Sequence, residues 1–238
     1  MILTAHQPVY LPWLGLFHKI ALADLFISFD QVQYQPKDWN NRNLVKTPSG
    51  PVWLTVPVLR KGYLSKTISE IEINNKEPWA RKHLKTISLS YSKSPYYREY
   101  ISIFEDVYSK KWHTLVELNE AMLKIFLGLL SIDVPVRSAG EWQFRGSKSD
   151  LVLDMCMQVQ ASDYIFGEQG KNYADSSKFR SNGVRDHYQS YNHPKYPQLH
   201  GDFLENLSIL DLLFNCGPES ISILLSGNAT RSDILRNT

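Results

Sequence analysis

Two cysteines in 238 residues, Cys156 and Cys216, exclude a disulfide framework and any compact cysteine-based metal motif. Cys156 lies in an apolar helical run and Cys216 near a helix end, so both read as buried thiols. Long hydrophobic runs are missing too. Stretches such as AMLKIFLGLL are too short or interrupted to span a bilayer. The N-terminus lacks a basic region followed by an apolar stretch and a small-residue cleavage site, so no signal peptide is expected. Charge of one sign is absent: 26 Lys and Arg stand against 24 Asp and Glu, intermixed, and the formal net charge of +2 does not argue for nucleic acid. No basic stripe with interleaved aromatics, G-x-S-x-G elbow, P-loop, H-E-x-x-H or paired CxxC occurs. What is left is a cytoplasmic globular chain with no nucleic-acid partner and no membrane span. Its aromatics, 12% of residues, are the side chains that sugar and nucleotide sites use.

The pattern of elements predicts an α/β fold, a mainly parallel sheet with flanking helices. Residues 1–6 read as a strand, the segment carrying Trp13, Leu14, Phe17, Ile20 and Ala21 as a helix ending near Asp24, and LFISF as a strand covered on both faces. A small β-hairpin follows, with β-prone pieces near 43–47 and 52–58 around the turn signal TPSGP, and TISEIEI at 67–73 alternates like a further strand. The middle of the chain is helical over 77–131, in three segments, with Ser94 as a candidate cap. Strand VPVRSA, helix 147–160 capped by Ser147 or Ser149, strand ASDYIFG, strand GVRDHYQSY, the loop NHPKYPQLHGDF, two helices and a polar tail complete it. The expectation is one domain, 1–238, with an insertion over roughly 31–75.

Four stretches are long and unusual: HQPVYLPWLGLFHKI, DWNNRN with WLTVPV after it, YIFGEQGKNYAD, and HPKYPQLHGDFLENLSILDLLFNCG. In this order they resemble the WbqC-like family, from the first strand to about residue 217. The resemblance implies a bacterial protein of O-antigen or other surface-polysaccharide biosynthesis, acting on an activated sugar or sugar nucleotide; residue chemistry adds transfer from an acyl or aminoacyl donor, and a non-catalytic sugar-nucleotide-binding or assembly subunit is an alternative. The resemblance leaves the reaction open, and it names no cofactor. A second resemblance is one of layout: a strand, a His-Pro loop, a glycine opening a helix and a second apolar strand is similar to the start of nucleotidyltransferase-like ligases such as pantothenate synthetase. There a His-x-Gly-His motif holds ATP phosphates; here Trp13-Leu14-Gly15-Leu16 stands in its place, with neither histidine.

Three residues are candidates for catalysis. His6 ends the first strand, where a parallel sheet opens its ligand crevice, and a neutral imidazole there suits acyl transfer to an amine or hydroxyl. The alternative is a histidine bonded to a loop carbonyl. Asp30, at the end of the second strand, could orient that imidazole, bind a sugar hydroxyl or cap a turn. Glu168 is a second candidate acid or base. For substrate binding, Gln7 and Tyr10 flank His6, and Arg42 with Asn43 lies in a polar loop where a guanidinium would grip a phosphate or carboxylate. Gly167 and Tyr173 follow a strand end, and His193, Tyr196 and Gln198 sit in a loop expected to fold over the crevice. His187, His193 and His200 match no compact zinc spacing, so no metal site is expected. Trp13 and Phe17 read as core, and His18 and Lys19 as an exposed pair.

Overall fold

The computed structural model describes residues 1–236. Its sheet begins where the apolar opening predicts, with β1 at Ile2–His6. The amphipathic run after it forms α1, Leu14–Ala21, and the LFIS run forms β2, Leu25–Ser28. The TPSGP turn closes an antiparallel hairpin of β3, Arg42–Thr47, and β4, Gly50–Thr55, in register from Arg42↔Thr55 to Thr47↔Gly50. Three helices follow: α2 Trp79–Tyr91, α3 Tyr97–Ser109 and α4 Leu115–Leu129. Thr114 and Glu117 form a capping box at the start of α4. Then come β5 Val136–Ser138, α5 Lys148–Gln158, β6 Asp163–Phe166, α6 Ser176–Ser181 and β7 Arg185–Tyr188. The chain closes with α7 Ile209–Cys216, α8 Ser220–Leu225 and α9 Arg231–Arg236.

The five-stranded sheet has the order β5-β2-β1-β6-β7, with every neighbouring pair parallel. The chain therefore runs outward from β1 through β2 to β5, crosses back to the other side of β1, and runs outward again. Crossovers on the two sides of that reversal lie on opposite faces, which opens a crevice beyond the carboxyl end of β1. Strand alternation then assigns the two faces of β1. Leu3 and Ala5 join the cluster of Met155, Cys156, Tyr164 and Phe166 on the α5 side, whereas Ile2 packs with Leu22, Ala23 and Ile165 on the α1 side. Phe26 and Ile27 of β2 fall in different clusters, so both faces of that strand are covered, as its unbroken apolar run requires. The helical middle packs against the α1 face, where Phe126 meets Phe17 and Phe104 with ring centroids 5.8 Å apart in each pair.

Several local expectations are corrected. TISEIEI is no strand: Thr67 and Glu70 close a reciprocal cap that winds Ile68–Glu70 into a single 3₁₀ turn, leaving isolated bridges at Thr67, Glu72 and Ile73. Ser94 does not cap α3, which starts at Tyr97; its hydroxyl donates to Asn215 instead. Ser147 precedes α5 without a side-chain cap, and the Ser149 hydroxyl accepts from the Asp175 amide. The polar tail contains α9, while Asn237 and Thr238 lie outside the described residues.

The loop NHPKYPQLHGDF packs away from the crevice. Gln198 takes up Leu204 with both ends of its amide and accepts from the buried Lys46 ammonium at 3.1 Å, which also reaches the carbonyl of Asp202. Beneath it Asp211 is fully buried and accepts from Tyr91 at 3.0 Å, while its second oxygen has no hydrogen-bond donor. Burial pushes Asp211 up to about 6, although Tyr91, Tyr196, Lys46 and Gln198 all pull the other way. A carboxyl raised in the folded state favours folding at low pH. That contribution is complete below the unfolded value, near 4, and is lost as pH rises through about 6. The loss amounts to about 3 kcal/mol from a shift of roughly two units. Calorimetric melting of wild type between pH 4 and pH 8 is expected to show most of this fall, concentrated below pH 6, and Asp211→Asn to flatten it. An unchanged slope in the variant would assign the pH dependence elsewhere.

Candidate functional site

At the carboxyl end of β1 the His6 ring turns back on its own chain, with Nδ1 2.8 Å from the carbonyl of Gln7. A carbonyl only accepts, so Nδ1 carries the proton and Nε2 keeps its lone pair. Burial first and the nearby Lys19 charge second lower His6 to about 4, against the opposing pull of the Gln7 carbonyl. The imidazole is neutral at pH 7. Both readings of His6 meet here: it is bonded to a loop carbonyl through one nitrogen and offers the other.

Lys19 was expected at the surface. It is only 4% exposed, and its ammonium donates to the carbonyl of Ala5 at 3.0 Å, the one hydrogen-bond acceptor it has among the described residues. Burial lowers it to about 8. Its neighbour His18 is buried as well, held between the Gln189 side chain and the carbonyl of Ala229. The expectation failed because α1 is covered almost all round: every residue from Leu14 to Ile20 is buried. Helical periodicity shows which face is apolar; it does not show that the opposite face is roofed by a sheet end and by the C-terminal segment.

His6 and Lys19 open on a cleft of about 810 Å³, within the size range of ligand sites. Ala5, His6 and Gln7 form its floor, Trp13, Gly15 and Lys19 of the α1 region one wall, and Leu151, Val152 and Met155 of α5 the other. Gly167, Glu168 and Tyr173, after β6, line it as the sequence suggested. Gly170 is forced in this turn, because a Cβ there would sit 2.5 Å from the Cβ of Phe166. Trp13 is half-buried rather than core; its indole meets the His6 ring edge-on at 5.4 Å and Trp39 at 5.5 Å. Phe17 is core. Gln7 lines the cleft and accepts from the Asn40 amide at 3.2 Å.

Other candidates are placed elsewhere. Tyr10 is buried in the helical layer, with its hydroxyl bonded to His83 and Tyr108, so it cannot meet a substrate. Asn43 is fully buried and spends its amide on the Leu11 carbonyl and the Leu44 amide. Arg42 lies outside the cleft, with one nitrogen on the Lys37 carbonyl and its guanidinium 4.3 Å from the ring centre of Trp53. Asp30 is buried and accepts from Gln31; the His6 ring is bonded to Gln7 instead. Tyr196 and Gln198 belong to the buried polar group around Lys46 and Asp211, and His193 stacks on Tyr196 at 6.2 Å with Nδ1 on Pro194. Sequence position could not separate these from cleft residues, since they lie in polar segments that leave the carboxyl ends of the parallel strands β1, β2 and β7, as the cleft residues also do. His187 pairs with Asp163 and His200 with the Ser90 carbonyl, far from one another in partners. Among the described residues no cluster of three or more His, Cys, Asp or Glu is placed to hold a metal ion.

No solved structure matches this chain significantly. It is similar to the uncharacterised protein Rv1507c of Mycobacterium tuberculosis, with 34% identity over 216 residues, covering 90% of this chain and 93% of that one. The profile of the WbqC-like protein family matches residues 7–223, which takes in Gln7 of the cleft floor, both walls and α7. With that coverage, the chain belongs to the WbqC-like protein family.

Proposed function

We propose that the cleft beyond β1 is the active site of a transferase that moves an acyl group from an activated donor to an amino or hydroxyl group of a sugar or sugar nucleotide. The observation that carries this reading is a neutral imidazole, its Nε2 lone pair free, at the reversal point of a parallel sheet beside a buried ammonium. With a thioester donor, the acceptor nitrogen or oxygen attacks the acyl carbon while His6 Nε2 removes its proton. The new C–N or C–O bond forms, the C–S bond breaks, and the imidazolium returns the proton to the departing thiolate. Lys19 faces the negative charge that builds on the acyl oxygen, and the charge of a bound anion offsets its depressing effect on His6. Trp13, Trp39 and Tyr191 supply flat walls for a sugar or base ring. The setting, assembly of O-antigen or another surface polysaccharide in the cytoplasm, follows from the family resemblance, and the two free buried thiols agree with a reducing compartment.

A second reading, an ATP-dependent amide ligase, is favoured by the sheet order, in which a nucleotide would sit at the same reversal point. The two separate in one set of titrations. Calorimetry with ATP, coenzyme A thioesters and uridine diphosphate sugars is expected to show binding of a thioester and a sugar nucleotide. Lys19→Met should weaken the anionic ligand about 10- to 100-fold, the range for a lost charged hydrogen bond. His6→Ala should leave affinity near wild type and lower turnover about 10²- to 10⁴-fold. ATP binding with pyrophosphate release would sink the transferase in favour of the ligase. Full turnover in His6→Ala would remove the imidazole from either mechanism.

The pH profile follows from the same two groups. The base form of His6 is lost below about 4, and the Lys19 charge is lost above about 8. The value of kcat/KM is expected to be flat between those limits and to fall outside them. A limb centred near 6.5, the value of an unperturbed imidazole, would show that His6 is solvated and that the buried arrangement is not the active one.

A further inference from the structure

The cleft has two chemically different halves, because it straddles the end of one strand. Residues of β1 alternate, so His6 faces the α1 side and Ala5 the α5 side. On the α1 side stand His6, Lys19, Gln7 and Gln189, all with polar groups. On the α5 side the lining is mainly apolar, with Ala5, Phe29, Leu151, Val152, Met155 and Phe166 beside Tyr164, while Lys148 at the start of α5 and Glu168 after β6 bring charge to it. All of these apolar residues but Leu151 belong to or pack against one hydrophobic cluster of the sheet, which continues behind the wall. Met155 adapts its shape to what it meets, since an unbranched thioether has three soft torsions. The Lys19 ammonium sits on the border between the halves, 3.0 Å from the carbonyl of Ala5, with two protons not taken up by the protein.

We infer that the α5 half of the cleft is an acyl-chain pocket, and that the donated group is an aliphatic acyl chain. The inference rests on the transferase reading and narrows its donor. A chain whose carbonyl or carboxylate meets Lys19 at the border extends along the apolar side chains of Leu151, Val152 and Met155.

Straight-chain alkanoates test the pocket without requiring any donor carrier. In calorimetric titrations of the full-length protein with butanoate, hexanoate and octanoate, affinity is expected to rise about fourfold per methylene until the pocket is filled. Leu151→Trp, a half-buried wall position, should remove the gain beyond butanoate. Met155→Ala should extend the gain to decanoate. The opposite signs of these shifts distinguish a chain pocket from a general loss of folding, and melting curves of both variants check that each is folded. Equal affinity for all chain lengths, no binding of any of them, or a gradient that neither variant moves would overturn the pocket. Those outcomes with sugar nucleotides and thioesters still bound and turned over leave the transferase standing. A graded series with no thioester turnover keeps the pocket and removes the reaction.

Discussion

The opening turn cannot hold itself together, and the rest of the site depends on how it is held. Pro8 and Pro12 contribute no amide protons, and Leu11 sits in the left-handed region at φ 48°, a conformation a branched side chain adopts at a cost. The missing bonds come from a segment some thirty residues on. The Tyr10 amide donates to the Trp39 carbonyl, the Asn40 side chain to the Pro8 carbonyl and to Gln7, and the Asn43 side chain to the Leu11 carbonyl at 2.5 Å. Asn119 of α4 then fixes the Asn40 carbonyl in turn. Asn40 and Asn43 of DWNNRN are splints for HQPVYLPW, which is why a polar segment that looks like a solvated loop is largely buried. Each bond lies in a low-dielectric interior where a lost partner leaves a bare polar group, so the turn and its splint hold each other in one geometry.

That geometry sets the electrostatics of the cleft. A strand end that stops at His6 leaves the Ala5 carbonyl as an acceptor for Lys19, and the short α1 brings the lysine back over it. Keeping an ammonium and an imidazole together in a buried corner opposes folding, and it lowers both groups through desolvation. An arrangement that costs stability yet yields an uncharged base beside a cation is a feature of sites more than of cores. The apolar half across β1 needs no such arrangement: it continues the sheet core to an open edge.

Much of the architecture was legible. Each strand of the parallel sheet, the hairpin and the helical middle follow from apolar period and turn residues, because burial on one or two faces writes itself into a run of a few residues. TISEIEI shows the limit of that signal: its alternation is real, but a reciprocal Thr67–Glu70 cap within the same segment outweighs it. His6, Gln7, Gly167, Glu168 and Tyr173 line the cleft because they stand at or just after strand ends, and strand ends are visible in sequence. Lys19 was missed because the cover over its helix face comes from Ala5 and from the segment after Asn228, remote in sequence. Tyr10 and Asn43 were misplaced for the converse reason: they sit beside site residues along the chain but point into the core.

The closing motif makes the same point at larger scale. HPKYPQLHGDFLENLSILDLLFNCG is as distinctive as the opening one, and its tyrosine, histidines and glutamine have the look of a binding loop. The structure spends them on a buried group in which Gln198 fixes Lys46 and Asp211 takes up Tyr91. Lys46 lies on β3, the strand that begins with Arg42 and the splint residue Asn43, and Ser208 at the start of α7 donates its amide to Leu44 of that same strand. Ile209, the first residue of α7, donates to the Pro12 carbonyl of the opening turn. The two long motifs thus meet across β3: the closing one anchors the hairpin, the hairpin splints the turn, and the turn aims His6. A motif can be demanding in sequence because it supports a site from a distance, and the buried polar group that does so here leaves little freedom for substitution at any of its members.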